Sequence, residues 1–312
     1  MRLSRLWYCD HHELPLPPGH KFPAQKYALL REALALDPRF TFEPAPFADA
    51  GAIERAHDPA YVRAFLNGTV DAGIIRRIGF PWSEGLVRRT LASVGGTLRA
   101  TEDALARGWG GNLAGGTHHA FYGEGSGFCV FNDLAIAVRL AARRAAIIDL
   151  DVHQGDGTAS IFAGDPNVFT LSLHGGNNFP FRKQKSTLDI ALRDGTGDDE
   201  YLAALVVALP KVFESAPEIA FYQSGVDGLA SDRLGRLGLT AAGLRERDRM
   251  VFEACRTRGI PCVVTLGGGY SEPIELTVAA HAATFRMAAD VFGDGHSPVA
   301  GTDARATQPS PH

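Results

Sequence analysis

The chain is predicted to fold as an α/β protein with a mostly parallel central sheet covered by helices on both faces. Three observations carry this expectation: continuous apolar runs rich in β-branched residues, segments of helical period between them, and polar glycine-rich text directly after each run.

The runs are 145–150 (AAIIDL), 168–173 (VFTLSL), 219–223 (IAFYQ) and 260–266 (IPCVVTL). Unbroken rather than alternating apolarity marks strands buried on both faces, which is the condition of a parallel sheet. Between them, Val87, Leu91, Val94 and Leu98 fall on one helical face, and Thr240 is placed to cap a helix that stops near Gly259. The segments after the strands read DVHQGDG, HGGNNFP, SGVDG and GGGY. In an open α/β sheet this is the edge where ligands bind. No linker interrupts the alternation, so residues 1–293 are expected to form a single catalytic domain and 294–312, polar with scattered Pro and Gly, a flexible tail.

Composition narrows the function. The 312 residues are 45% hydrophobic and 21% charged, enough to bury a large core. With 31 Lys+Arg against 35 Asp+Glu, the net charge of -4 gives no reason to expect a nucleic-acid or anionic-membrane partner. The start lacks the apolar core of a secretion signal and no run is long enough for a membrane span, so a cytoplasmic location is expected. Cys9, Cys129, Cys255 and Cys262 show neither CxxC spacing nor a disulfide framework, and are read as reduced thiols and not as metal ligands.

The chemistry concentrates at the strand ends. Asp151 and His153 are two apart, so on an extended segment their side chains point the same way. With Asp227 they would make an Asp/His/Asp metal site that leaves positions open for water and substrate. Alone, Asp-x-His after a strand is more often a turn with a surface histidine; three polar strand ends in one chain favour the metal. Such a donor set accepts Zn2+ or Fe2+, with zinc the expected ion. His118 and His119, adjacent in GGTHHA, can divide the roles of general base and electrostatic stabiliser. Asp149 and Asp156 flank the metal ligands and are suited to accept from the rear nitrogens of these histidines. Tyr270, behind three glycines, is suited to donate to a developing oxyanion.

Together PPGHKFP (17–23), GGTHHA, GSGFCVFND (125–133), DLDVHQGDG, SGVDGLASDRLG and LGGGYSEP resemble the zinc-dependent histone deacetylase family, in particular its small bacterial and class IV-like members. The resemblance covers most of the chain and implies the three-layer αβα arginase/deacetylase fold. It implies zinc on Asp151, His153 and Asp227, His119 as general base and later general acid, and His118 as electrostatic support with Asp149 and Asp156 behind the pair. Tyr270 would polarise the amide carbonyl of an acyl-lysine or a small acylated amine. It further implies a structural potassium held by the Asp149 side chain, Ser172 and the carbonyls of Asp151, His153 and Leu173. The substrate tunnel would be walled by Phe128 and by Phe179 or Phe181, with Gly268 alongside. Two departures stand out. No aspartate occupies the rim position in 80–85 (FPWSEG) where many histone-directed members grip the substrate backbone, and Gln154 replaces the second histidine of a DxHHGDG form.

Rival readings share part of this pattern. A two-manganese arginase-like hydrolase would need a further carboxylate two residues after Asp227, where Leu229 stands. An acetylpolyamine deacetylase would keep the metal chemistry and change only the rim. A non-catalytic binding module would be expected to have lost a ligand, and none is missing. The oligomeric state is not legible.

Overall fold

A computed structural model describes residues 3–293; the tail expected at 294–312 lies outside the described residues. Among the described residues eight strands form one sheet: β1 Ser4–Tyr8, β2 Phe40–Pro44, β3 Trp109–Asn112, β4 Ala145–Asp149, β5 Val168–Gly175, β6 Leu188–Leu192, β7 Ile219–Gln223 and β8 Cys262–Thr265. Their order is β2-β1-β3-β8-β7-β4-β5-β6. Every pairing is parallel. The four predicted strands are β4, β5, β7 and β8, which lie next to one another in the order β8-β7-β4-β5. The other four extend the sheet at β3, β1 and β2 on one side and β6 on the other.

The sheet separates two apolar cores, because successive residues of a strand point to opposite faces. Ala146, Ile148, Ala220, Tyr222 and Val264 pack with α1 (Lys26–Ala35), α8 (Asp198–Glu214), α9 (Ala241–Thr257) and α10 (Ile274–Phe292). Ala145, Ile147, Ile219, Phe221 and Val263 pack on the other face with α3 (Pro59–Leu66), α5 (Glu84–Arg107) and α6 (Asp133–Ala141). The short helices α2 (Ala50–Ile53), α4 (Ala72–Ile78) and α7 (Asp156–Ile161) complete the chain. This is the expected αβα sandwich.

Local signals account for the helix ends. Thr240 caps α9 by accepting from Gly243 N at 3.0 Å, as predicted, and Ser83 caps α5 by accepting from Leu86 N at 3.0 Å. The buried stripe of α5 differs from the expected one: of Val87, Leu91, Val94 and Leu98 only Val94 is fully buried, and Leu86, Ala92, Gly95, Gly96 and Ala100 take the inner positions. Small residues win because the backbone itself is the contact. A Cβ on Gly95 would fall 1.8 Å from the Pro46 carbonyl oxygen. The larger side chains are displaced to the helix flanks.

Candidate metal and catalytic site

Because all eight strands run the same way, their C-terminal ends share one edge, and five neighbours contribute to a single cavity of about 560 Å³. The loop after β3 carries His118 and His119, that after β4 carries Asp151 and His153, that after β5 carries Phe179, that after β7 carries Asp227, and that after β8 carries Gly268 and Tyr270.

Asp151, His153 and Asp227 each present one ligand atom within 4.8 Å of the others. His153 Nδ1 lies 3.0 Å from both Asp151 Oδ1 and Asp227 Oδ2. All three residues are buried. The remaining carboxylate oxygens are held by the scaffold: Asp151 Oδ2 accepts from Gly268 N (2.7 Å) and Gln223 Nε2 (3.0 Å), and Asp227 Oδ1 accepts from Val152 N (2.9 Å). Gly268 can only be glycine, since a Cβ there would sit 1.8 Å from Asp227 Oδ2. Burial, and then the Asp151 carboxylate, push Asp227 up to about 7. Burial acts the same way on Asp151, but His118 and His153 overcome it and hold that acid well below its ordinary range. Two buried carboxylates facing one imidazole form a site short of positive charge, and a divalent cation with carboxylate and imidazole donors fits it.

Above the triad, each histidine is backed by an acid. His118 Nδ1 is 2.7 Å from Asp149 Oδ2 and His119 Nδ1 is 2.6 Å from Asp156 Oδ1, with all four side chains buried. The imidazoles stand 4.1 Å apart between ring centroids. Burial pulls His118 down, but Asp149 and Asp151 outweigh it and raise the group to about 9. Burial and the neighbouring His118 bring His119 down to about 4, leaving it neutral. Burial raises the Tyr270 phenol well above its usual value, so it remains a donor at neutral pH.

The cavity walls are aromatic. Phe128, whose φ of 65° follows Gly127, stands 6.3 Å from the Tyr270 ring. Phe179 meets His119 edge to face at 4.9 Å, whereas Phe181 is 86% exposed at the mouth. Both line the cavity, with ring centroids 6.4 Å apart: Phe179 beside the histidines and Phe181 nearer solvent. The residues expected around potassium are also gathered, with Ser172 the register partner of Asp149 across β4 and β5, and Asp149, Asp151, His153, Ser172 and Leu173 all buried.

Several supporting residues escaped the sequence reading. Asp133 accepts from Gly116 N (3.1 Å), Thr117 N (2.8 Å) and the hydroxyls of Thr97 (2.6 Å) and Thr117 (2.5 Å), fixing the loop that carries the histidines. Gln154, far from idle after the ligand, pairs through both amide atoms with the backbone of Gln184 (2.8 Å each) and donates to Asp189 (2.7 Å), anchoring the Phe179 loop. Arg247, fully buried, donates to Asp248 and to the carbonyls of Leu150 (3.3 Å), Ser224 (3.4 Å) and Gly225 (2.6 Å), tying together the two strand ends that bear Asp151 and Asp227. One signal existed for it: Leu244, Arg247, Asp248, Val251 and Cys255 form a helical stripe whose polar members stand at core positions.

The fold and the site define an α/β protein of the arginase/deacetylase class. Residues 20–285 match the histone deacetylase domain family. The chain is 45% identical over 295 residues to an uncharacterized protein of Picosynechococcus sp., covering 91% of this chain and 98% of that one. It is 36% identical over 195 residues to histone deacetylase 2 of Arabidopsis thaliana, covering 60% of this chain and 50% of that protein, so it spans about half the length of this curated deacetylase. Two solved structures share the fold. One is a histone deacetylase homologue from Aquifex aeolicus (TM-score 0.76, 22% identity, 94% of this chain and 89% of that one). The other is an acetylpolyamine aminohydrolase from Burkholderia pseudomallei (TM-score 0.75, 18% identity, 92% and 99%). The chain belongs to the histone deacetylase family.

Proposed function

We propose that this chain is a metal-dependent amidohydrolase that removes an acyl group, acetyl first, from the ε-amine of lysine. The observation that carries the reading is the convergence of Asp151, His153 and Asp227 beside two carboxylate-backed histidines, with Asp151, His153 and both histidines lining one aromatic-walled cavity. The ion these ligands would hold, zinc ahead of ferrous iron, supplies Lewis acidity and lowers the pKa of a water.

The chain's own groups supply the rest. The flat walls at Phe128 and Phe179 accept an extended methylene stem and exclude water from it. His119, oriented through Nδ1 by Asp156, takes a proton at Nε2 from the attacking water and returns it to the leaving amine. His118, paired with Asp149, provides positive charge beside the developing oxyanion, and the Tyr270 hydroxyl donates to the same oxygen. A structural potassium on the Asp149 side chain, Ser172 and the carbonyls of Asp151, His153 and Leu173 belongs to the same reading, supported by the adjacency of β4 and β5. So does a single catalytic domain over 1–293.

The test is turnover of a fluorogenic acetyl-lysine peptide by metal-stripped protein before and after one equivalent of Zn2+, with a hydroxamate inhibitor as control. Zinc-restored, hydroxamate-blocked cleavage is expected. Silence toward acetyl-lysine together with cleavage of acetylated polyamines would give the site to the second reading, a small-molecule amide deacetylase; silence toward every acylated amine would end both.

A further inference from the structure

The exposed charged side chains that line the cavity are all basic. Against a net charge of -4, residues 174–188 contain Arg182, Lys183 and Lys185 and no carboxylate, and this is the loop that carries Phe179 and Phe181. The titratable residues lining the cavity besides its tyrosines and cysteine are Lys21, Arg77 and Arg236 with His118, His119, His153 and the single acid Asp151, one of the three candidate metal ligands. Lys21, Arg77 and Arg236 are exposed. Arg77 pairs with Glu124, and Arg236 pairs with Asp194 at 3.3 Å. A guanidinium has five N–H donors, so one such contact leaves each arginine free to bind a second oxygen. Among the described residues no ion pair engages Lys21, Arg182, Lys183 or Lys185, although the Lys183 ammonium donates to the Asn178 carbonyl at 2.6 Å.

We infer that the mouth selects acylated amines that carry a carboxylate on the solvent side of the stem, such as Nε-acetyl-lysine with a free α-carboxylate, and disfavours acetylpolyamines. The inference rests on the deacylase reading and adds the substrate class to it. When the amide reaches the floor, the lysine stem fills the aromatic section and the α-carbon emerges among Lys21, Arg77 and Arg236. A carboxylate there meets charge-assisted donors. A polyamine instead places one or more ammonium groups beside Lys21, Arg77 and Arg236, where the nearby carboxylates of Glu124 and Asp194 are already paired with the two arginines.

The experiment compares kcat/KM of the zinc-loaded full chain for three substrates: Nα-capped Nε-acetyl-lysine as the free acid, its carboxamide, and N1-acetylspermidine. At low salt the acid is expected to exceed the carboxamide about tenfold, with acetylspermidine last, and the acid-to-amide ratio to collapse toward one at high salt. Charge reversal by Lys21→Glu or Arg236→Glu lowers that ratio, the carboxamide serving as the internal reference for a general loss of activity. Equal turnover of acid and carboxamide, or acetylspermidine as the best substrate, overturns the inference and leaves deacylation standing. Failure to turn over any of the three overturns both.

Discussion

Arg247 offers the sharpest test of how the strand ends that carry Asp151 and Asp227 are held. Arg247→Met keeps most of the aliphatic volume and deletes the guanidinium. Asp248 would keep the Tyr222 and Thr284 hydroxyls (2.5 and 2.6 Å) but lose its countercharge, and the carbonyls of Leu150, Ser224 and Gly225 would lose a buried donor. Breaking a buried ion pair from one side costs about 3–5 kcal/mol, and the stranded carbonyls overlap with that figure and do not add to it, so a loss of about 4 kcal/mol is expected. Against a domain stability of roughly 5–15 kcal/mol this is a large fraction. Urea unfolding followed by circular dichroism on metal-free protein reads it directly. Arg247→Lys, which restores charge but not the fork, should recover less than half and guards against a Met variant too unstable to purify. A loss below about 1 kcal/mol would mean that solvent replaces the guanidinium, and the argument for its structural role would fail.

Three further outcomes follow from the geometry. Asp227→Asn should weaken zinc uptake while Tyr270→Phe leaves uptake unchanged and lowers kcat by about 100-fold, as metal analysis beside kinetics will register; equal metal loss in both would refute the division of roles. His119→Ala should lower kcat by about 100- to 10,000-fold with metal content intact, and a drop of less than tenfold would remove it as the proton carrier. His57 is buried between Asn132 N (2.8 Å from Nε2) and the Tyr122 carbonyl (3.2 Å from Nδ1), and burial holds it down at about 4. The folded state therefore binds fewer protons than the unfolded one, whose imidazole titrates at its ordinary value, about 6.5. Stability is present in full above that value and is lost as pH falls toward 4, by about 3 kcal/mol. Urea midpoints between pH 7 and 4 check this, and a slope unchanged in His57→Asn would contradict it.

The legibility of the chain follows burial. Strands β4, β5, β7 and β8 could be read because residues sealed on both faces leave no polar interruption. Strand β3 could not, because its sequence WGGN carries two glycines; a Cβ on Gly110 would lie 2.0 Å from the Ala100 carbonyl, so helix α5 packs on bare backbone there. Strand β6, LDIAL, lies at an edge and alternates between partly buried and exposed residues, so it lacks the unbroken apolar run. At the site, side chains that act at strand ends left a mark in the sequence. Those that act on the backbone of remote segments did not: Asp133 reaches Gly116 across 17 residues and Gln154 reaches Gln184 across 30. Nothing local distinguishes them from solvated polar residues until the partner segment is known.

The carboxylates of the triad are held in place by donors that belong to the protein. Asp151 is fixed by Gly268 N, Gln223 and His153 N, and Asp227 by Val152 N. The ligand cage therefore owes its shape to the sheet, unlike a zinc finger, whose chain cannot fold until the ion arrives. Chelation should strip the catalyst from a protein that keeps its tertiary structure, and readdition should restore activity at the speed of ion capture, with no refolding step between. If the triad takes its metal as proposed, such a chain can be synthesised, stored and handed the ion last.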